Sequence, residues 1–131
     1  MRLVDVYEHP EAEDVLWHLL QERQPDESIS HKRMPSVAQH KAFVATHPYM
    51  HWYLIDCGDL VGATYLSYKR EIGIGILLQY RRHGYATNAV KMLMEKHPGP
   101  FLANVNHRNE KSIRLFRSLG FNQIQVTYAH D

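Results

Sequence analysis

Residues 71–87 constrain this chain more than any other stretch, because they join an apolar strand, a basic turn and the start of a helix. A strand that leads directly into a helix leaves the first backbone N–H groups of that helix unpaired, at the positive end of its dipole. Such an end suits a phosphate or pyrophosphate. Gly84 and Ala86 carry little or no side chain, so a ligand can approach the backbone there. The stretch therefore predicts an anion-binding turn.

The composition fits one soluble domain over residues 1–131. A net charge of +1 argues against a large nucleic-acid surface or a polybasic membrane segment, so we expect a small partner. The first residues lack the apolar run of a signal peptide, and no run approaches the roughly 18 residues of a membrane span. Cys57 is the only cysteine, which excludes an internal disulfide and a thiolate zinc cluster. We therefore expect a cytoplasmic protein.

His47 and His51 are four residues apart, as in several helical metal sites. Pro48 lies between them and would break the helix that brings such a pair onto one face. The sequence also contains no HExxH pattern. We therefore predict no metal site.

Hydrophobic periodicity and turn residues predict an α+β domain with the element order β-α-α-β-β-β-α-β-α-β. The predicted strands cover residues 1–6, 51–56, 60–68, 71–78, 101–106 and 121–128. The predicted helices cover residues 11–22, 37–46, 84–96 and 109–120, with Ser36 and Asn109 as N-caps. A helix separates the fourth and fifth strands, so these two should be parallel through a right-handed crossover.

Residues 81–86 read Arg-x-x-Gly-x-Ala after a Glu-Ile-Gly strand, and residues 109–121 read NEKSIRLFRSLGF. The first block resembles the pyrophosphate loop of the GNAT superfamily of acyl-CoA-dependent N-acetyltransferases, and the second resembles its closing helix. The resemblance covers residues 37–128. It implies an α+β (mixed-sheet) GNAT-like fold: a mostly antiparallel sheet splayed between two parallel strands, flanked by four helices, with a shortened C-terminal end.

The resemblance also implies acetyl-CoA as co-substrate, lying between strands 71–78 and 101–106. The turn would hold its pyrophosphate, and the strand backbone would pair with its pantetheine amides. The residues assigned to this role are Ile76, Leu77, Arg81, Arg82, His83, Gly84, Tyr85, Ala86, Thr87, Asn109, Ser112 and Phe116. Two alternatives stay open, because surface arginines are often simply solvated and Asn109 can cap a helix without any ligand.

Acetyl transfer to an amine requires the neutral amine, and an amine with a pKa near about 10.4 is neutral to roughly one part in a thousand at pH 7. Glu71 is the first candidate for the base, since it shares a strand face with Gly73 and Gly75. The glycines would leave space for a substrate. Alternatively they admit a bulky neighbour, and Glu71 is a surface residue. His31 and His40, near the expected acceptor site, are alternative bases or else solvated histidines.

Phe116 stands where many family members have a tyrosine that protonates the departing thiolate. A phenyl ring cannot donate a proton, but a thiol pKa of about 8.5 makes the thiolate a tolerable leaving group. Water could supply the proton, and Tyr65, Tyr85 and Tyr128 are further candidates.

Residues 121–128 leave room for one closing strand where the family usually has two. The last strand would then pair with strand 101–106, or a second subunit would cover the free edge. We therefore predict a homodimer.

These patterns together predict an N-acetyltransferase that acts on a primary amine of a small molecule, such as an amino sugar or an amino-acid-like metabolite. Residues 24–40 and strand 60–68 should form the acceptor walls. The alternatives are a non-catalytic acyl-CoA-binding or regulatory module and the acetylation of a protein amine. A nucleic-acid binder built on residues 81–83 is disfavoured by the nearly neutral charge.

Overall fold

A computed structural model describes residues 1–23 and 34–131. Within these ranges the strands are β1 (Arg2–Asp5), β2 (His51–Asp56), β3 (Leu60–Leu66) and β4 (Ile72–Ile76). The α-helices are α1 (Ala12–Gln21), α2 (Val37–Ala45), α3 (Tyr85–Lys96) and α4 (Glu110–Ser118). The strands form one antiparallel sheet in the order β1-β2-β3-β4. The predicted α+β class is confirmed. None of the helices in the described ranges is long and apolar enough to cross a membrane.

Side-chain caps fix the starts of two helices, as their sequences predict. The Ser36 hydroxyl accepts from the N–H of Gln39 at 3.1 Å, and the Gln39 side chain accepts from the N–H of Ser36 at 2.9 Å. This reciprocal pair is a capping box at the start of α2. Asn109 begins α4 by accepting from the N–H of Ser112 at 3.2 Å.

Apolar clusters cover both faces of the sheet. On one face α1 and α2 pack over Trp52 and Leu54. On the other, α3 and α4 pack over Tyr53 and Ile72. Successive strand residues point to opposite faces, which is why neighbours in β2 belong to different clusters. The isoleucines of β4 face α3 and α4, as the alternation predicts, and Ile76 is only 8% exposed.

The crossover after β4 brings residues 101–106 alongside that strand, in the parallel direction predicted. The contact is a single bridge between Glu71 and Leu102. The N–H of Ile72 donates to the carbonyl of Leu102, and the N–H of Leu102 donates to the carbonyl of Arg70, both at 2.8 Å. Beyond this bridge the described chain shows no pairing between β4 and residues 103–106, so the predicted full strand is wrong. Past the bridge the described residues of the two segments share no backbone hydrogen bond, and the space between β4 and residues 103–106 is called here the cleft.

The predicted strand 121–128 is also wrong, because the structure shows no strand there. Ile124, Val126 and Tyr128 have the alternation of a strand, but they are 80%, 57% and 91% exposed. A strand gains stability from a partner edge and from packing of its side chains. This segment has neither within the described part of the chain, so its pattern alone does not produce a strand.

Candidate active site

The edge of β4 presents backbone groups to the cleft. Because the N–H of Ile72 points to Leu102, the even-numbered residues of β4 direct their backbone groups away from β3. The carbonyl of Ile76 accepts from Nε of Arg81 at 3.0 Å. Within the described residues no acceptor meets the N–H of Ile74 or of Ile76. The cleft therefore has two backbone donors on one wall.

Leu77 does not share this orientation. Its N–H donates to Val61 at 2.9 Å, and its carbonyl accepts from the N–H of Tyr80 at the same distance. The residue whose backbone stands beside Ile76 at the cleft is therefore Ile74, which the sequence interpretation missed. Strand alternation was the signal that could have found it, since residues of equal parity share an edge.

The turn before α3 leaves a set of backbone donors unpaired. Gly84 adopts a left-handed conformation with φ of 75° and directly precedes the helix. The first helical bond runs from the N–H of Asn88 to the carbonyl of Gly84 at 3.2 Å. The N–H groups of Tyr85, Ala86 and Thr87 therefore have no acceptor within the helix. A Cβ on Gly84 would meet nothing within 4 Å, so this side of the turn is open.

Basic residues directly precede these donors in the chain. Arg81 is half-buried and ties the turn to the edge of β4 through Ile76. Arg82 and His83 are exposed, and the ring centroid of His83 lies 5.4 Å from that of Tyr85. The predicted anion-binding residues thus lie together at the start of α3, where the helix dipole favours negative charge.

Glu71 lies where β4 and the crossover segment part. Its N–H donates to Oγ of Ser67 at 3.0 Å, and its carboxylate Oε2 accepts a hydrogen bond from Nδ2 of Asn104. Asn104 belongs to the opposite wall of the cleft. The sequence interpretation missed this partner, because no local pattern relates two residues that meet only through a crossover.

An aromatic pair fills the space beside Gly73. An added Cβ on Gly73 would lie 2.0 Å from ring carbons of Tyr65. Tyr49 stacks on Tyr65 with ring centroids 3.7 Å apart and planes 7° apart. Gly73 therefore admits a bulky neighbour, whereas a Cβ on Gly75 would first meet Leu19 at 3.4 Å, an ordinary contact. Burial raises the pKa of both tyrosine hydroxyls, so both stay protonated at neutral pH.

Of the two histidines proposed as bases, only His40 lies within the described residues. His40 lies in α2, where it is only 7% exposed and its ring centroid is 5.5 Å from that of Trp17 in α1. Burial lowers the pKa of His40, and Glu13 partly opposes this shift. The structure thus places His40 between two helices. His31 lies outside the described residues.

The α4 residues divide between cap and core. Asn109 and Ser112 are half-buried, and they bond to each other as the helix cap. Phe116 is 6% exposed and packs edge-on against Phe121, with ring centroids 5.1 Å apart. Its ring belongs to the cluster beneath α3 and α4. The structure thus places Phe116 mainly in the core, and its contact with a cofactor stays a prediction.

Comparison with known proteins identifies the class of enzyme. Residues 13–121 match the model of the Acetyltransferase (GNAT) family. The chain belongs to this family, and it is an acetyl-CoA-dependent acetyltransferase, as its sequence motifs predict. No curated protein sequence matches the chain.

Solved structures share the fold at low sequence identity. A ribosomal-protein-alanine N-acetyltransferase from Brucella melitensis has a TM-score of 0.69 and 15% identity, with 95% of this chain and 85% of that chain covered. The acetyltransferase yncA from Salmonella typhimurium, described as putative and solved with acetyl-CoA, has a TM-score of 0.65 and 16% identity, with 98% and 86% covered. An N-acetyltransferase from Staphylococcus aureus Mu50 has a TM-score of 0.65 and 15% identity, with 92% and 81% covered.

The residues present fit acetyl-CoA as co-substrate. The donors at the start of α3 match a pyrophosphate, and the open side of Gly84 leaves room for it. The donors of Ile74 and Ile76 match carbonyl oxygens of an extended chain lying along β4.

Proposed function

We propose that this protein transfers the acetyl group of acetyl-CoA to the primary amine of a small molecule, such as an amino sugar or an amino-acid-like metabolite. The transfer would occur by direct attack of the amine on the thioester. The observation that supports this most is the position of Glu71 at the closed end of the cleft, on the strand whose edge presents the donors of Ile74 and Ile76.

The arrangement divides binding between the two ends of the cleft. The N–H groups at the start of α3, with Arg82 and His83 beside them, hold the pyrophosphate. The edge of β4 holds the extended arm by strand-like hydrogen bonds, which bring the thioester toward Glu71. This order along one strand aligns the reacting carbon with the carboxylate.

The chemistry then needs one base and one set of donors. The amine nitrogen bonds to the thioester carbon, the carbon–sulfur bond breaks, and Glu71 accepts the proton that the nitrogen releases. A backbone N–H of β4 stabilises the charge that develops on the carbonyl oxygen. The sulfur leaves as a thiolate, which a thiol pKa of about 8.5 permits near neutral pH. Phe116, a buried phenyl ring, supplies no proton.

The test is release of free CoA from acetyl-CoA over a panel of amino sugars, amino acids and simple primary amines. For the amine that reacts, Glu71→Gln should lower kcat by about 10²- to 10⁴-fold, the range that a positioned base contributes. The KM for acetyl-CoA should stay within about threefold of the wild-type value, because the substitution leaves the groups that bind acetyl-CoA in place. Glu110→Gln, at an exposed glutamate in α4, is the matched control and should keep the parent rate. Equal rates for the two variants would refute the role of Glu71.

A protein amine is the second candidate, because one structural neighbour is described as a ribosomal-protein-alanine N-acetyltransferase. The panel therefore includes a peptide with an N-terminal alanine. Acetylation of this peptide but not of small amines would favour the protein substrate. Binding of acetyl-CoA without release of CoA over the whole panel would favour a binding module.

We also infer a homodimer, for which the exposed apolar residues Ile124, Val126 and Tyr128 offer a surface to cover. Sedimentation at several micromolar concentrations tests it, and a single monomeric species throughout would contradict it.

A further inference from the structure

We propose that Asn104 is a positioning residue for Glu71: its side-chain amide holds one carboxylate oxygen across the cleft and leaves the other directed at the acceptor amine. This inference rests on the proposed function, in which Glu71 accepts the proton of the amine. It adds a second residue on the opposite wall, from a segment that the GNAT-like motifs of this chain do not include.

The bond between these side chains joins the two walls of the cleft. Nδ2 of Asn104 donates to Oε2 of Glu71. A carboxylate accepts only, and the amide nitrogen is the only donor of an asparagine side chain, so the orientation of the amide follows from the chemistry. The bond engages one oxygen of Glu71, which leaves Oε1 for the proton of the substrate. It also restricts a side chain that would otherwise sample several rotamers.

The backbone on both sides of this pair is fixed. Glu71 bridges to Leu102, and its N–H donates to Oγ of Ser67 at 3.0 Å. Asn104 follows Leu102 by two residues. The pair therefore meets next to the bridge at which backbone pairing of the two segments ends, and a small shift of either segment would separate the side chains.

Arg70 also binds the segment that leads from α3 to Asn104. Its carbonyl accepts from the N–H of Leu102 at 2.8 Å, and its guanidinium donates to the carbonyl of Pro100 at 3.3 Å and to that of Pro98. One residue next to Glu71 in the chain thus holds the turn that leads to Asn104. These contacts anchor the backbone two residues before Asn104, whose own side chain is exposed.

Kinetics on the amine found by the panel test the inference. Asn104→Ala should lower kcat by about 10- to 100-fold, the loss expected when a catalytic group is misplaced by about 1 Å. The KM for acetyl-CoA should change less than about twofold, because the β4 edge and the α3 turn are intact. Asn104→Asp should lower kcat further and move the acidic limb of the kcat–pH profile to higher pH, since it places a second carboxylate beside the first.

Two comparisons separate positioning from a general structural effect. Asn122→Ala and Asn122→Asp make the same changes at an exposed asparagine and should leave the kinetics unchanged. In a Glu71→Gln background, Asn104→Ala should lower kcat by less than about threefold, because substitutions of two residues that act together do not have additive effects. Full additivity would overturn the proposal. So would a rise in the KM for acetyl-CoA at unchanged kcat, which would make Asn104 a direct contact of the co-substrate.

A measurement on the substrate-free protein keeps the pair testable if no amine is acetylated. The side-chain NH₂ resonances of Asn104, assigned by their loss in Asn104→Asp, should shift in Glu71→Ala and stay in place in Glu110→Ala. No shift in Glu71→Ala would overturn the pairing itself. A shift with an inactive wild type would leave the pair standing and refute the proposed function instead.

Discussion

The ring of Tyr65 lies against Gly73 so closely that a Cβ atom on residue 73 would be 2.0 Å from Cε2 and Cζ of that ring. Tyr49 stacks on Tyr65 with 3.7 Å between ring centroids, so the ring has little room to move away. Tyr65 and Gly73 are opposite each other in the sheet, and Glu71 precedes Gly73 by two residues, so all three lie on one face. The absence of a side chain at Gly73 is therefore required by the packing beside Glu71, the proposed base.

Gly73→Ala should lower the free energy of unfolding by about 1–3 kcal/mol, because it adds a methyl group to filled space. Urea denaturation gives this value. The matched control is Gly75→Ala, where the new Cβ would meet Leu19 at 3.4 Å. That change should cost less than about 0.5 kcal/mol, since alanine also loses less backbone entropy on folding than glycine.

The double variant Gly73→Ala with Tyr65→Ala isolates the contact. Removal of the ring frees the space, so the cost of the alanine in this background should fall to about that of Gly75→Ala. An unchanged cost would show that the clash with Tyr65 is not the cause.

Gly84 should matter for acetyl-CoA more than for stability. Gly84 and Gly120 both have left-handed backbones, with φ of 75° and 92°, and a Cβ on either would meet nothing within 4 Å. Alanine at either position should cost about 1–2 kcal/mol, the penalty of this conformation. Only Gly84→Ala should also raise the KM for acetyl-CoA, by about tenfold, because its Cβ projects beside the anion-binding turn. Steady-state kinetics measure the KM for acetyl-CoA of both variants at equal folded fraction. Equal KM values for Gly84→Ala and Gly120→Ala would contradict the prediction.

Local patterns predicted the parts of this fold whose causes are local. The β2 bounds follow from a β-rich run that a Cys-Gly-Asp turn ends, and the α2 start follows from Ser36. Residues 71–87 were predicted correctly as strand, turn and helix for the same reason, although the strand ends at Ile76 instead of reaching Leu78.

The errors arise where the outcome depends on a distant partner. Residues 121–128 alternate like a strand, but no edge within the described chain pairs with them. The bond between Asn104 and Glu71 depends on the register of two segments joined by a helix, which neither sequence encodes locally. The ring over Gly73 likewise follows from the pairing of β3 with β4, which places Tyr65 opposite that glycine.

Arg70 should stabilise the contact between β4 and residues 98–102, although its own backbone conformation is unfavourable. Arg70 and Arg82 are both left-handed, with φ of 68° and 70°. Glycine at either position relieves about 1 kcal/mol of backbone strain. Arg70→Gly also removes the hydrogen bonds to Pro98 and Pro100, so it should be less stable than Arg82→Gly by about 1–2 kcal/mol. Urea denaturation of the two variants measures the difference, and equal stability would show that the guanidinium contacts contribute nothing.

His97 should make the fold less stable in mild acid. Its Nε2 lies 2.8 Å from the hydroxyl of Tyr53, and its ring stacks on His51 with centroids 3.8 Å apart. Burial lowers the pKa of His97, and the nearby charges of His51, Lys96 and Arg70 lower it further. In the unfolded chain a histidine has a pKa of about 6.5. As the pH falls below that value, the unfolded chain binds a proton that the folded chain resists, so the free energy of unfolding should decrease.

The measurement is the free energy of unfolding between pH 7.5 and pH 5.5 for the wild type, His97→Asn and the control His107→Asn, at an exposed histidine. His97→Asn removes the titrating group, so its stability should fall less over this range than that of the wild type, even if it is lower at pH 7.5. The decrease should not vanish, because burial also lowers the pKa of His40. His107→Asn should keep the wild-type slope. A slope in His97→Asn equal to that of the wild type would exclude His97 as a cause of the acid sensitivity.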